Sequence, residues 1–259
     1  MAEIAEAGFD TFLETEKGFE AYAEEKKADN NQLEAIQKKY NHVQPLIFFQ
    51  DKVLKQNWNE EWEKNVEPVI VEDQCLIRAT FHKIEKKYNY EIIITPKMSF
   101  GTGHHQTTYL MVKSQLRIDH RNKRVMDAGC GTAVLSVMAS LRGARHIEAF
   151  DIDEWSIENG RENAHINGCT NIHIQQGTVR SFSWPEPFDL ILANINKNVL
   201  LDEIEVYSNC LVGGGLLLLS GFYAHDIPDM MEEASRTGLL KLSHDERENW
   251  ASLLLQKTS

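Results

Sequence analysis

Apolar and polar positions change period along this chain, and the change divides it at about residue 68. Before that point the runs are short and mixed. Residues 1–8 read as a helix without an N-cap that stops at Gly8. Residues 10–16 and 18–24 read as two short strands around a turn at Lys17-Gly18. Residues 31–40 have a helical pattern and 46–52 an extended one. Trp58 and Trp62 stand four residues apart, on one helical face, which suits packing against another element. Pro68 ends that helix.

After Pro68 come three extended stretches, 69–71, 76–81 and 90–95. Strands and helices then alternate: strand 124–127, helix 133–142, strand 146–151, helix 154–167, strand 172–175, strand 188–194, helix 198–209, strand 215–221, helix 225–236 and strands 239–243 and 251–257. Such alternation predicts the α/β class: a doubly wound, Rossmann-like, mostly parallel sheet of seven strands, preceded by a small N-terminal α+β domain. The last two strands stand too close for a helical crossover, so they are expected to pair antiparallel.

Composition narrows the function classes. The chain has 259 residues, 42% apolar and 25% charged, which are ordinary globular values. Its net charge is −12, with 14 acidic and 8 basic side chains in residues 1–66 and 25 and 19 in the rest. No basic stripe marks a nucleic-acid platform, so direct nucleic-acid readout is not expected. Cys75, Cys130, Cys169 and Cys210 are scattered, without a CxxC pair, which argues against a zinc knuckle and for a reducing cytoplasm. The start lacks a basic and then apolar leader pattern, and the longest strongly apolar stretch, 216–219, is far too short for a membrane span.

The chemistry concentrates after residue 98. An apolar strand runs into Asp127-Ala128-Gly129-Cys130-Gly131-Thr132-Ala133, and a helix follows. Glycines at such a turn let the backbone approach a ligand, and the helix start adds free N–H groups. The sixth position of a dinucleotide G-x-G-x-x-G pattern is Val134, so the nicotinamide reading is weakened. Asp151 ends the next strand, 20 residues after Gly131, where an acid can accept hydrogen bonds from ribose hydroxyls. This combination points to S-adenosylmethionine. Adjacent His104 and His105 diverge and have no third partner nearby, so no metal site is expected.

Ser99-Phe100-Gly101-Thr102-Gly103-His104-His105-Gln106-Thr107-Thr108 resembles the Phe-Gly-Thr-Gly-x-His-x-Thr-Thr loop of the ribosomal protein L-eleven methyltransferases, the PrmA family. The resemblance continues through Phe150-Asp151-Ile152-Asp153, Leu192-Ala193-Asn194-Ile195, Gly213-Gly214-Gly215 and Glu248-Asn249-Trp250. It implies a class I methyltransferase fold. It also implies cofactor contacts at Thr108, Gly129, Asp151 and Asn194, with Gly131, Phe100, Thr102 and Ile152 beside them. Asn194 is expected to orient cofactor and amine in catalysis. The implied reaction takes methyl groups from S-adenosylmethionine, leaving S-adenosylhomocysteine, to amino groups of ribosomal protein L-eleven: lysine side chains and the N-terminal amine. That partner is met free or on the ribosome, by a cytoplasmic monomer with no membrane association.

The implied organisation is a substrate-recognition domain over 1–54, a helical linker over 55–68 and a methyltransferase domain over 69–259. The family begins with a strand before its first helix, so the small domain is expected to lack one. His104, Gln106 and Ala133 depart from the family pattern without removing an expected contact. Three other readings stay open on the residues alone: a methyltransferase for another protein or a small molecule, a dehydrogenase, and a non-catalytic S-adenosylmethionine-binding protein.

Overall fold

The computed structural model describes residues 4–5, 7–9, 11–15, 18–23, 28–41, 48, 67–95 and 106–258. The chain divides into two compact units, 1–56 and 57–259. The expected extended run 46–52, the Trp58–Trp62 helix and the 55–66 part of the linker fall almost wholly outside the described residues. In the first unit β1 (Thr11–Thr15) and β2 (Gly18–Tyr22) form an antiparallel hairpin. Helix α1 (Asn30–Tyr40) is capped by Asp29, whose carboxylate accepts from the Asn31 and Gln32 amides.

The second unit opens with a three-stranded sheet, β3 (Val69–Val71), β4 (Cys75–Ala79) and β5 (Tyr90–Ile94). β3 and β4 are antiparallel, whereas β4 and β5 run parallel although only residues 80–89 connect them. Helix α2 (Gln106–Gln115) follows. Periodicity along the chain predicts no helix there, and the reason is physical. Seven of its ten residues are buried, Thr107, Thr108, Ser114 and Gln115 among them, so no apolar stripe stands out against a polar face.

The large sheet has the strand order β11-β12-β10-β9-β6-β7-β8. Its members are β6 (Arg124–Ala128), β7 (His146–Asp151), β8 (Ile172–Gln176), β9 (Phe188–Asn194), β10 (Leu211–Tyr223), β11 (Leu239–Arg247) and β12 (Trp250–Lys257). The five strands β6 to β10 pair parallel. β12 inserts between β10 and β11, antiparallel to both. The expected pairing of the last two strands is therefore present, and the sequence had not placed β12 against β10. Glu248 and Asn249, both at positive φ, make the two-residue turn from β11 to β12.

Helices α3 (Val134–Leu141), α4 (Glu154–Ile166), α5 (Lys197–Cys210) and α6 (Ile227–Arg236) complete the unit. One core joins the small sheet to the large one. Ile77 and Ile92 pack with Met111 and Met138 and, beyond them, with Val125 and Leu192. The opposite core is built on Phe188, Leu219 and Phe222 under Leu200, Ile204 and Tyr207 of α5. The connection from β8 to β9 carries only a 3₁₀ turn, Val179–Ser181, instead of a helix. Polar side chains occupy the strand face beside it: Glu148 takes His146 at 2.8 Å and His173 at 2.9 Å. No described helix is long and apolar enough to cross a membrane.

The small sheet is latched to α4 by asparagines. The Asn167 side chain accepts from the Ile93 amide at 2.8 Å and donates to the Ile93 carbonyl at 2.6 Å. Asn163 accepts from the Thr95 amide at 2.8 Å. Asn167→Ala would leave the Ile93 N–H without its acceptor. It is expected to lower stability by about 1–3 kcal/mol in urea unfolding and to accelerate hydrogen exchange at Ile93.

Candidate cofactor cleft

The carboxyl ends of β6, β7, β8, β9 and β10 open into one cleft of about 410 Å³. Ligands of doubly wound sheets bind at this edge because the loops there diverge. Gly129, Gly131, Asp151, Ile152 and Asn194, five of the residues singled out from sequence, all line it. Thr107 lines it, while Thr108 is buried beside it with its hydroxyl unpartnered. Phe100 and Thr102 lie outside the described residues, as do His104 and His105.

The glycine turn is shaped by β7. Gly129 and Cys130 both donate to the Phe150 carbonyl, at 2.9 and 3.0 Å. Gly131 donates to the Asp151 carboxylate at 2.9 Å, and Asp153 donates to its other oxygen at 3.0 Å. Each Asp151 oxygen thus has one backbone donor and keeps further acceptor capacity for a hydroxyl. The neighbouring Asp153 is spent as the cap of α4, accepting from the Ser156 amide at 3.1 Å. Among the described residues no group of three His, Cys, Asp or Glu converges as a metal site would require.

Ala133, one of the departures from the family pattern, caps α3 at φ 59°, a left-handed conformation. An L-residue there carries about 1–2 kcal/mol of strain. Its small side chain faces α4 at Gly160, where an added Cβ would lie 3.3 Å from the Ala133 Cβ. Close helix packing is what this position requires.

Asn194 ends β9, pairs in register with Ser220 of β10, and is buried with its carbonyl oxygen unpartnered. Ile195 turns the chain away between two glycines. A Cβ at Gly129 would overlap the Ile195 side chain, and one at Gly221 would overlap the Ile195 backbone. Gly221 sits at a bulge in the β10–β12 pairing with φ +101°. Asn196 caps α5, and the Lys197 amine bridges Asp226 and Asp229, both at 2.6 Å. Tyr223 stacks on Trp250, with ring centroids 4.2 Å apart, at the cleft's edge. Residue pattern alone gives no site role to Ile195, Gly221 or Trp250. A glycine inside an apolar strand was the available signal for Gly221.

Asp127 lies behind the turn, wholly buried. Ser136 donates to one carboxylate oxygen at 2.5 Å, and the other has no partner. Desolvation pushes its pKa up to about 7. Phe150 lines the cleft and packs with Phe182 and Trp184. Trp184 itself donates to the Val179 carbonyl at 3.2 Å. A second hollow, of about 270 Å³, lies around Tyr90, Arg117, Asp119, Arg121 and Arg142. Its charges are engaged already: Arg121 pairs with Asp119 at 2.9 Å, and Arg142 donates to the Ile118 carbonyl.

Gly221→Ala is expected to cost about 3 kcal/mol or more, from overpacking added to left-handed strain. Gly168→Ala, also at positive φ but with open space around it, should cost only the strain, about 1–2 kcal/mol. Urea midpoints compare them. Asp127 holds its proton in the folded state above its unfolded pKa, so its contribution to stability is full below about pH 4 and is lost as pH rises through about 7. Asp127→Asn should therefore gain stability relative to the natural protein between pH 4 and 8, read as diverging urea midpoints.

A sequence profile of the family described as ribosomal protein L11 methyltransferase (PrmA) matches residues 3–258. The ribosomal protein L11 methyltransferase of Bacteroides thetaiotaomicron is 40% identical over 254 residues, covering 97% of this chain and 91% of the relative. That of Porphyromonas gingivalis is 42% identical over 254 residues, covering 97% and 88%. The crystal structure of a ribosomal protein L11 methylase from Lactobacillus delbrueckii subsp. bulgaricus aligns with a TM-score of 0.68 at 25% identity, covering 74% of this chain and 99% of that one. A methyltransferase from Pyrococcus furiosus shares the fold alone, with a TM-score of 0.54 at 16% identity over 64% of this chain and 90% of that one. With all but three terminal residues inside the match, the chain belongs to the ribosomal protein L11 methyltransferase (PrmA) family.

Proposed function

We propose that this chain methylates amino groups of ribosomal protein L11, on lysine side chains and at the N-terminus, with S-adenosylmethionine held in the cleft at the carboxyl edge of the large sheet. The observation that carries the reading is the convergence of Gly129, Gly131, Asp151 and Asn194 on that one cleft. The donor set fits the group. Asp151 has acceptor capacity left for ribose hydroxyls. The buried Asn194 side-chain amide, in the cleft wall, keeps its oxygen without a protein partner, as sites that bind a polar ligand do.

Bound S-adenosylmethionine supplies a methyl group made electrophilic by its sulfonium. The chain's own residues do the rest. Asp151 and the glycine turn hold the ribose and the polar end of the cofactor. Thr108 contributes one hydrogen bond near the methionine portion. Asn194 has both a donor and an acceptor, enough to orient cofactor and amine together. The attacking amine must be neutral, while free lysine has a pKa of about 10.4. A buried, largely apolar cleft disfavours the ammonium form and eases loss of that proton. Alignment of amine and methyl group supplies much of the rate.

The residues 1–54 are the part that grips the protein substrate in this reading. The net charge of −12 suits a basic ribosomal protein, met free or on the ribosome, and the reaction then belongs to the cytoplasm. Incubation with S-adenosylmethionine and unmethylated L11, followed by intact-mass measurement, should show additions in whole methyl steps. They should vanish without cofactor and in Asp151→Ala. Asn194→Ala should slow single-turnover transfer about 100-fold at saturating cofactor. An unmodified L11 mass beside demonstrated cofactor binding would move the reading to another amine substrate.

A further inference from the structure

Helix α5 sends Val199, Glu203 and Tyr207, one residue per turn, to the wall of the cleft. Glu203 and Tyr207 are both buried. The Tyr207 hydroxyl donates to Glu203 through a short hydrogen bond. Among the described residues that is the one hydrogen bond this carboxylate receives. An ionised carboxylate has about four acceptor positions. The oxygen not taken by Tyr207 is not sealed in the core and opens onto the cleft, where a donor can reach it. Neither side chain has a part in the methyl transfer derived above.

The strand order fixes which part of a ligand meets this acid. β7 lies between β6 and β8, so the glycine turn and Gly177 stand on opposite sides of Asp151. Gly177 donates to the Asp151 carbonyl at 2.9 Å, and Thr178 follows it into the cleft wall. Two residues on, Arg180 donates to the Asp202 carbonyl at 2.7 Å, which holds this segment against the turn of α5 that carries Glu203. A ribose at Asp151 with its methionine portion toward the glycine turn therefore points its base toward Ile152, Thr178 and α5. Ile152, Ile195 and Val199 give that end apolar walls suited to a flat ring.

We propose that Glu203 reads the base, accepting a hydrogen bond from the exocyclic amino group of adenine, with Tyr207 fixing the carboxylate in place. Glu203 is then a specificity-determining residue, and this inference rests on the S-adenosylmethionine reading of the cleft. A 6-oxo purine presents an acceptor where adenine presents a donor. A buried carboxylate repels it, and a site built on one hydrogen bond discriminates strongly against a ligand that cannot make it.

Calorimetric titration of the full chain with S-adenosylhomocysteine and with S-inosylhomocysteine tests this without turnover. The natural protein should prefer the adenosyl compound by about 30-fold or more. Glu203→Gln keeps the shape and can turn either its oxygen or its amino group to the base, so the preference should shrink to within about threefold. Glu203→Ala should bind the adenosyl compound about tenfold more weakly. Full preference retained in Glu203→Gln, or natural affinity in Glu203→Ala, overturns the role of Glu203 and leaves the cofactor reading standing. Failure of the natural protein to bind either compound overturns both. Should Glu203→Ala not fold, the shape-matched Glu203→Gln carries the test alone.

Discussion

Ile195 is wedged between two backbone segments that carry no side chain, and the cleft owes its form to that fit. Gly129 opens the turn after β6, and Gly221 sits in the bulge of β10. Either one, given a Cβ, would collide with Ile195. The strand between them, β9, therefore exits at a fixed angle, with Asn194 at the last paired position. From there Asn196 caps α5 and Lys197 is clamped by two aspartates. A chain that makes this turn brings Asn194, the glycine turn and the start of α5 to one place. Packing sets the geometry here, and hydrogen bonds hold it.

The acids of the cleft region differ because their surroundings differ. Asp151 takes two backbone amides and faces the ligand space. Asp153 serves helix α4. Asp127 has one hydroxyl donor and full burial, which raises its pKa. Glu203 leans on Tyr207 in the α5 wall. Four carboxylates thus sit in four different settings, and desolvation against available donors sorts them.

Legibility in the sequence followed local contrast. The strand-turn-helix at Asp127–Ala133 and the alternating elements after it carry strong periodic signals, and all seven strands of the large sheet stand where the pattern placed them, give or take their ends. Helix α2 was missed because it is buried on most sides and has no polar face to contrast with. Strand β10 runs 13 residues, longer than its apolar run suggests, because Leu211 already pairs with Phe188 of β9, ahead of an irregular stretch whose glycines give no hydropathy signal. Glu203 and Tyr207 read as polar interruptions of a helix. Only the fold shows that they face a ligand cleft.

The sequence by itself determined the α/β class, the glycine turn with its acid 20 residues on, and the resemblance that named a family. Those features depend on residues near in the chain, where spacing alone fixes the geometry. The insertion of β12 between β10 and β11, the joining of a second sheet through the Asn163 and Asn167 latch, the left-handed Ala133 and the seating of Ile195 between two distant glycines were decided by tertiary structure. Each is a contact between segments far apart in sequence, selected by what fits against what, and no local pattern encodes such a fit.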